Sequence, residues 1–577
     1  MELSLEESFW ILLVVAIIAW YVYDKYVQRE HQLLVNYPII GRLRYLLEEF
    51  REPFRQYFGD EKFYESKDKL DWVYKAARDL PNYASFSPAQ PLPKPKFMIR
   101  HANIVLNDNE VENSFEVIFG ERRRKPFISK SIIARSAMSD GSISPEGTRA
   151  FVQGSFIGGF PINSGEGGVT SNFFVTHENY DSKYMTIVDS SSLNKSIKRV
   201  AKFLFNGAIA ADVYRKLVFK NDPEAETYIL DMNKKQFYRP NWDAPLEVFP
   251  KEVPSDMPDI VFQISSGLYG TRDKNGKFDA YRYQKVMSFC QMTEIKIAQG
   301  AKQTGGKLSG QKVTPAIAYY RNVEAYKDVF SPNRFPYANS IEELFDFIGT
   351  LQELSGKPVG MKIVISDMQN IEPYAKEIKR RVDLGIDAYP DYITLDSGSG
   401  GSATAPLEMM ERVGLNVRDS VYLVNKVLSD YKVRDKVRIV ASGKILTPDD
   451  IIIVMSLGAD FLQIARGFMM SAGCIRARYC SGSGKHQCPV GLATQDIKKR
   501  KHYFVKKHSE FVKNYHNNII KSMKSLLAVM GLKNVKELNI EKLIFLDIDS
   551  IIHDDMHELF ERRILKKKKK EDEPNAS

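Results

Sequence analysis

The feature that most restricts the fold is a series of short apolar, β-rich runs, most of them closed by glycine. They are Ser131–Ala134 before Met138-Ser139-Asp140-Gly141, Ser155–Ile162 before Gly165-Glu166-Gly167-Gly168, Asp259–Ser265 before Gly267, and Thr293–Ile297 before Gln299-Gly300. The later ones are Gly360–Ile365, Asp391–Leu395 before Gly398, Lys436–Val440 before Gly443, and Asp460–Ile464 before Gly467. Helical patterns such as Ile341–Leu354 and Pro448–Leu457 lie between several of them. Apolar runs alternating with amphipathic helices indicate parallel strands joined by crossover helices. Eight such runs point to a (β/α)8 TIM barrel, with an open doubly wound sheet as the alternative from pattern alone. In such a barrel the strand C-termini carry the chemistry, and the glycine-rich signatures fall there.

The 577 residues leave room for that barrel and for flanking helical segments. The α/β reading divides the chain into an N-terminal transmembrane helix over 1–28, a helical and linker region over 29–95, the barrel over 96–500, and a helical C-terminal extension with a basic tail over 501–577. Within the second segment, Glu30–Asp79 reads as amphipathic helix with polar breaks and Pro81–Pro95 as a linker or extended arm. A long polar insert, about 169–257, separates the second and third apolar runs, and residues 497–565 read as polar helix covering the outside of the barrel.

The run from Phe9 to Tyr23 carries no charge and has Trp10, Trp20, Tyr21 and Tyr23 near its ends. Glu2, Glu6 and Glu7 precede it, whereas Lys25, Arg29, Arg42 and Arg44 follow it. A cleaved signal peptide places positive charge before its apolar core and small residues after it, and neither occurs here. The expectation is an uncleaved single-pass anchor, with the body on the cytoplasmic side of the membrane; a buried or amphipathic helix is the alternative. The net charge of +10 is uneven, and much of it lies in the tail from Arg562 to Lys570. Such a run is ordinarily a solvated end, or else a contact with anionic lipid. No nucleic-acid fold signature or basic–aromatic stripe occurs elsewhere, so nucleic acid is not expected as a partner.

Three of the four cysteines, Cys474, Cys480 and Cys488, fall within fifteen residues, and Cys290 stands alone. Clustering in a large chain argues against a disulfide framework and for metal binding in a reducing compartment. Three thiolates suit an iron–sulfur cluster; zinc with His486 as fourth ligand, or plain structural cysteines, also match the spacing. Ser442-Gly443-Lys444 and Arg466-Gly467 follow consecutive candidate strands, where barrels commonly bind phosphate, while glycines at such turns also have a purely conformational use. Asp396–Ser402 is a second flexible glycine loop. Glu294, Lys296 and Ala298 share one strand face, and Lys302 and Arg321 beyond it offer two cations for a dicarboxylate; a solvated basic loop is the plainer reading.

The order of these pieces carries a resemblance. Ala137-Met138-Ser139-x-Gly141-Ser142-Ile143-Ser144, Asn163–Gly168, Glu294–Lys302 and Cys488-Pro489-Val490-Gly491-Leu492-Ala493-Thr494-Gln495-Asp496 together resemble the FMN-binding domain of glutamate synthase, and more closely its stand-alone, membrane-anchored relatives. The likeness runs from about residue 90 to 500, excluding the insert. It implies a barrel holding FMN, a 3Fe–4S cluster on Cys474, Cys480 and Cys488, and reduction of the imine formed from ammonia and 2-oxoglutarate to give L-glutamate. It implies that Gln299, Lys302 and Arg321 hold 2-oxoglutarate and that Glu166 lies beside the ammonia, with Glu166 and Lys302 catalytic. It further implies that Met138, Ser139, Gly141, Lys296, Lys362, Ser397, Gly398, Gly400, Gly401, Ser442, Gly443, Lys444, Arg466 and Gly467 surround FMN.

The chain departs from that family in several places. Lys302-Gln303-Thr304-Gly305-Gly306-Lys307 is one residue shorter than the family stretch, so Lys307 stands where a substrate-contacting glutamine is expected. The second cysteine gap is longer than usual, and the flavin loop reads Ser399-Gly400-Gly401-Ser402-Ala403. Residue 2 is Glu and the first cysteine is Cys290, so no N-terminal glutaminase is expected, and ammonia is free or comes from a partner. Without a dinucleotide-binding glycine motif after a strand, a ferredoxin-like electron donor is expected over direct NAD(P)H oxidation. N-methylglutamate synthase-like amine transfer, a non-catalytic membrane electron-transfer subunit and another FMN barrel are the alternatives.

Overall fold

The structure is a computed structural model that describes residues 5–28, 34, 37–43, 46, 47, 50, 66–82, 96–174, 185–187, 229–231, 236–240, 252–300, 302, 305–406, 408–410, 412–481, 487–500, 503–546 and 552–553. The chain divides into two units, Met1–Ser66 and Lys67–Ser577.

In the first unit an α-helix over Leu5–Val22 continues as a π-helical turn over Tyr23–Val27. The stretch Ser8–Val27 is long and apolar enough to cross a membrane. At its end Asp24 is buried and ion-paired with Arg42, whose guanidinium also lies 5.2 Å from the Trp20 ring.

The second unit is built on a closed barrel of eight parallel strands. They are β1 (Ile133–Arg135), β2 (Ile162–Asn163), β3 (Ile260–Ile264), β4 (Met292–Lys296), β5 (Val359–Ile363), β6 (Tyr392–Asp396), β7 (Arg438–Ser442) and β8 (Phe461–Ile464). Each pairs with its neighbours in chain order, and β8 closes onto β1 through Gln463 opposite Ala134. Each of the eight apolar runs contains or overlaps one barrel strand, because strands buried on both faces lose the polar alternation that would otherwise hide them.

Period-two alternation sorts the interior into layers. Ala134, Val261, Met292, Tyr392, Val440 and Phe461 form the lowest, plugged from below by Phe119 and Phe127 of the hairpin Val117–Phe119/Phe127–Ser129. Two residues further along the strands the layer turns polar. Glu294 accepts hydrogen bonds from Asn163 (2.9 Å), Gln263 (2.6 Å), Thr394 (2.6 Å) and Gln463 (2.9 Å), so β4 is tied to β2, β3, β6 and β8 through one buried carboxylate. Two residues beyond, Lys296 and Lys362 stand in register at the mouth.

One strand lies elsewhere than the apolar pattern suggests. Ser155–Gly158 ends the helix Pro145–Gly158, which Ser144 caps through Gly147 and Pro145 opens; Gly159 at φ 68° stops it, and only Ile162–Asn163 is strand. Phe156 and Ile157 mimic a strand because they sit exposed on the last helical turn. The β7 run begins two residues late, since Arg434–Lys436 is a 3₁₀ turn.

The long helix Val505–Val529 packs along Pro145–Gly158 and Lys67–Ala77. Gly154 permits that approach, because a Cβ there would lie 2.5 Å from Val512. The chain then departs from the expected helix: Leu543–Leu546 is a strand, antiparallel to Lys96–Ile99. Within the insert a small antiparallel sheet joins Met185–Ile187, Gln236–Pro240 and Ile229–Asp231. The tail from Arg562 to Lys570 and most of Pro81–Pro95 lie outside the described residues.

Candidate active site

At the barrel mouth the last inward side chain of β4, Lys296, donates from Nζ to Glu166 Oε2 at 2.7 Å and to Gln299 Oε1 at 3.2 Å. Glu166 comes from the loop after β2, which glycines press against the loop after β1. A Cβ on Gly165 would lie 2.5 Å from Ser139 N, and one on Gly167 would lie 2.8 Å from Arg321 Nη2. Arg321 ends the helix Pro315–Arg321, capped by Thr314. Its Nη2 donates to Ser139 Oγ at 3.1 Å, its guanidinium lies 5.1 Å from the Tyr269 ring, and its buried Nε has no hydrogen-bond partner among the described residues. Lys302 is buried, and its amide donates to the Gln299 carbonyl at 3.1 Å.

The charges in this group act on one another. Burial raises the Glu166 carboxyl, but the Lys296 ammonium, with help from Arg321, outweighs it and holds the group at about 2. Burial pushes Lys302 and Arg321 downward, and the Glu166 charge opposes that in both. Two further lysines, Lys296 and Lys307, lower Lys302 as well. Three cations around one carboxylate leave the mouth net positive, so it favours an anionic guest. Lys307 faces away from a guest role: its Nζ is 2.8 Å from Asp328 Oδ2 and 5.3 Å from the Phe330 ring.

The glycine loops meet on the other side of the mouth. A Cβ on Gly300 would lie 1.6 Å from the Ser397 carbonyl oxygen, and the Gly300 amide donates to Asp396 at 2.9 Å. Gly443, at φ 115°, faces Ser397, and a Cβ on Gly398 would lie 2.3 Å from the Gly414 carbonyl. The Ser397 hydroxyl bonds that of Ser399, and Gly400 N donates to Ser397 O at 2.7 Å. A Cβ on Gly401 would have Arg466 Nη2 at 3.4 Å, so Arg466 reaches over this loop. Ser442 is buried at the end of β7, and Lys444 follows it with φ 49°. Gly467 serves packing, since a Cβ there would lie 2.0 Å from the Tyr515 hydroxyl of the long C-terminal helix. Gly141, at φ 95°, packs on Ile317, and the Met138 carbonyl accepts from Arg135 at 3.1 Å. Lys362 is buried and makes no ion pair among the described residues.

Cys474, Cys480 and Cys488 share one loop region, near enough for a charge on one to be felt by another. Burial pushes the free Cys474 thiol up to about 12 and raises Cys480. Among the described residues no three His, Cys, Asp or Glu side chains are arranged for a single metal ion, and His486 lies outside those residues. The cysteine loop docks on the first barrel loop, with Ser144 N donating to Leu492 O and Gln495 to the Gly141 and Ile143 carbonyls.

Several residues here give no signal in sequence. Arg135, fully buried at the end of β1, donates to Ser136 O and Met138 O while its Nε and Nη2 have no hydrogen-bond partner among the described residues, and burial pushes it down to about 9. Asp140 gathers Thr170 at 2.5 Å and Asn172 at 2.6 Å, fixing the start of the insert beside Arg321. Lys312 reaches from a turn to the cysteine loop. Lys312 has no motif neighbour or periodic position that marks it, Arg135 merely follows the first apolar run, and Asp140 lies inside a quoted signature that gives it no role.

Residues 82–533 match the family described as the conserved region in glutamate synthase. The glutamate synthase large subunit-like protein YerD of Bacillus subtilis (strain 168) is 28% identical over 594 residues, covering 94% of this chain and 96% of its own length. The archaeal-type glutamate synthase (NADPH) of Thermotoga sp. (strain RQ2) is 30% identical over 50% of this chain, which spans 53% of that relative. Among solved structures, mandelate oxidase with (S)-2-phenylpropionate aligns over 83% of this chain and 90% of its own at a TM-score of 0.37 and 10% identity, a likeness too loose to carry weight.

Proposed function

The chain belongs to the family defined by the conserved region in glutamate synthase, and from that premise we propose that it is a glutamate synthase-like oxidoreductase that reductively aminates 2-oxoglutarate to L-glutamate with ammonia. One observation carries the reading above all. Lys302 and Arg321, the two cations suited to two carboxylates, flank the Lys296–Glu166 ion pair at the C-terminal mouth of the barrel.

The residues fit FMN. Gly300 and Gly400 let the 299–302 and 397–401 loops close on one another where a Cβ would strike backbone, Gly401 is open except for the end of Arg466, and among the described residues the Lys362 ammonium at the mouth has no ion pair. Lys296 and Lys362 would face the isoalloxazine, and the 397–402 loop with Ser442, Gly443, Lys444 and Arg466 would take the phosphate side. Three free thiols without a described fourth ligand are the donor set of a three-thiolate iron–sulfur cluster, which Cys474, Cys480 and Cys488 would hold. When bound, FMN supplies hydride to the imine carbon and the cluster delivers electrons.

The chain's own groups set the rest. Arg321, held by Ser139, and Lys302 clamp the dicarboxylate, with Gln299 beside them. Glu166, kept ionised by Lys296 and Arg321, would accept a hydrogen bond from incoming ammonia and hold Lys296 in place while that ammonia adds to the C2 carbonyl and water leaves. Lys307 is ion-paired with Asp328 although its charge is felt at Lys302, so Arg321 and Lys302, not Lys307, are assigned to the two carboxylates. The electron donor is ferredoxin-like, and ammonia is free or handed over by a glutaminase partner. The Ser8–Val27 stretch anchors the protein as a single-pass helix, with the body cytoplasmic because Lys25 and Arg42 follow it.

Titrating 2-oxoglutarate into the FMN-loaded full chain tests the pocket. A saturable change in flavin absorbance that Arg321→Met removes supports it; no change with 2-oxoglutarate, but one with another acid, moves the substrate elsewhere. Carbonate extraction of membranes tests the anchor, since a peripheral protein is released and an integral one is not.

A further inference from the structure

Lys312 is a buried cation whose surroundings need explaining. It lies in the turn Gly310–Lys312, between the strand Gly306–Leu308 and the helix that ends in Arg321. Only 3% of it is exposed. Its Nζ donates to Ser142 O at 2.8 Å and to Cys480 O at 2.7 Å, so one ammonium holds the first barrel loop and the cysteine loop together. Burying an ammonium costs several kcal/mol unless charge compensates it. Among the described residues no carboxylate pairs with Lys312, and its ammonium sits on the backbone of Cys480, one of the three cysteines assigned to the cluster. As neutral thiols these leave the cation uncompensated, and as thiolates on iron they complete it.

We propose that Lys312 is a positioning residue that clamps the cysteine loop to the 138–144 loop and supplies the counter-charge for the three-thiolate cluster. The inference rests on the cluster assignment made above. It has a redox consequence. One-electron reduction adds a negative charge to the cluster, and a neighbouring ammonium stabilises the reduced form more than the oxidised one, which raises the midpoint potential.

The experiment is an EPR-monitored titration of the oxidised cluster with dithionite in full-length Lys312→Met, Lys312→Gln and Lys312→Arg, with iron and FMN contents measured alongside. Lys312→Met is expected to lower the reduction constant at least about tenfold, or about 59 mV for a one-electron centre, and Lys312→Arg to stay within about threefold of wild type. Lys312→Gln keeps an N–H donor without the charge and is expected to follow Lys312→Met. A loaded Lys312→Met or Lys312→Gln at the wild-type potential overturns the proposal. Failure of both to load while Lys312→Arg loads supports the clamp; failure of all three overturns the assignment of the role to charge. Wild-type protein without iron removes the cluster reading and this inference together, whereas iron with an unchanged Lys312→Met potential removes this inference alone.

Discussion

Lys296 Nζ and Glu166 Oε2 lie 2.7 Å apart although 130 residues separate them in the chain. The barrel makes that pair: β4 ends on Lys296, and the glycine-flanked loop after β2 sets Glu166 across the mouth from it. The folded Glu166 value of about 2 lies below its ordinary 4.5. Its contribution to stability is therefore complete above 4.5 and is lost as pH falls toward 2. Glu166→Gln is expected to keep FMN but lower turnover about 10²–10³-fold, as for loss of a preorganised charge. In the wild type the pH profile of kcat/KM is expected to show no Glu166 step between pH 4 and 6, because the folded value is about 2; such a step, abolished in the variant, would make Glu166 a proton carrier instead.

Gly300 and Gly401 make a matched test of the cradle. Gly300→Ala puts a methyl group into the Ser397 carbonyl, a backbone atom that cannot turn aside, and is expected to destabilise by about 1–3 kcal/mol or more and to expel the flavin. Gly401→Ala meets only the end of the Arg466 side chain at 3.4 Å, so the fold survives with weakened flavin binding. Melting curves and flavin content on both variants decide it, and equal stability of the two would refute the loop contact.

Lys307 and Arg321 are both cationic, but Lys307 is ion-paired with Asp328 whereas Arg321 is buried against Ser139 and feels the Glu166 charge. Arg321→Met is expected to cost about 1.5–3 kcal/mol of 2-oxoglutarate binding, roughly ten- to a hundredfold in KM, because a charged hydrogen-bond donor is lost. Lys307→Gln breaks the pair with Asp328, which is partly exposed, and changes KM by less than about threefold. Steady-state kinetics on both variants check the order.

His516 is buried, stacked on Phe160 with ring centroids 4.3 Å apart, and its Nε2 bonds the Ser131 hydroxyl at 2.8 Å. Burial pushes the imidazole down to about 4 from its ordinary 6.5. The unfolded chain takes its proton first, so stability is complete above 6.5 and falls as pH drops toward 4, by about 3 kcal/mol in all. His516→Asn is expected to flatten that part of the curve, read as a smaller difference in melting temperature between pH 7 and pH 5 than in the wild type.

The barrel was legible because a strand covered on both faces leaves an uninterrupted apolar run, and crossover helices space those runs. The misplaced second run shows the limit of that signal: Phe156-Ile157 looks like a strand until Ser144 and Pro145 are read as a helix start. Glu294 was visible as a motif residue, but its four partners come from four strands whose register no local pattern encodes. The cations Lys302 and Arg321 could be named from their residue types, while their proximity to Glu166 depends on barrel closure. Arg135 and Lys312 were illegible for the same reason, since a buried lysine in a turn has the same local sequence as a solvated one. Asp140 stands in a motif, yet what it gathers lies thirty residues on, at the edge of the insert.

Reduction of the imine of 2-oxoglutarate at the mouth of this barrel is the proposal on which the others depend. The direct measurement is made on detergent-solubilised full chain, held anaerobically, with its flavin reduced chemically and its absorbance followed as 2-oxoglutarate and ammonium are added. Rapid reoxidation, matched mole for mole by L-glutamate and slowed by Arg321→Met, is the predicted result. A bound flavin that stays reduced with both substrates present, in protein that retains FMN and iron, would contradict the claim.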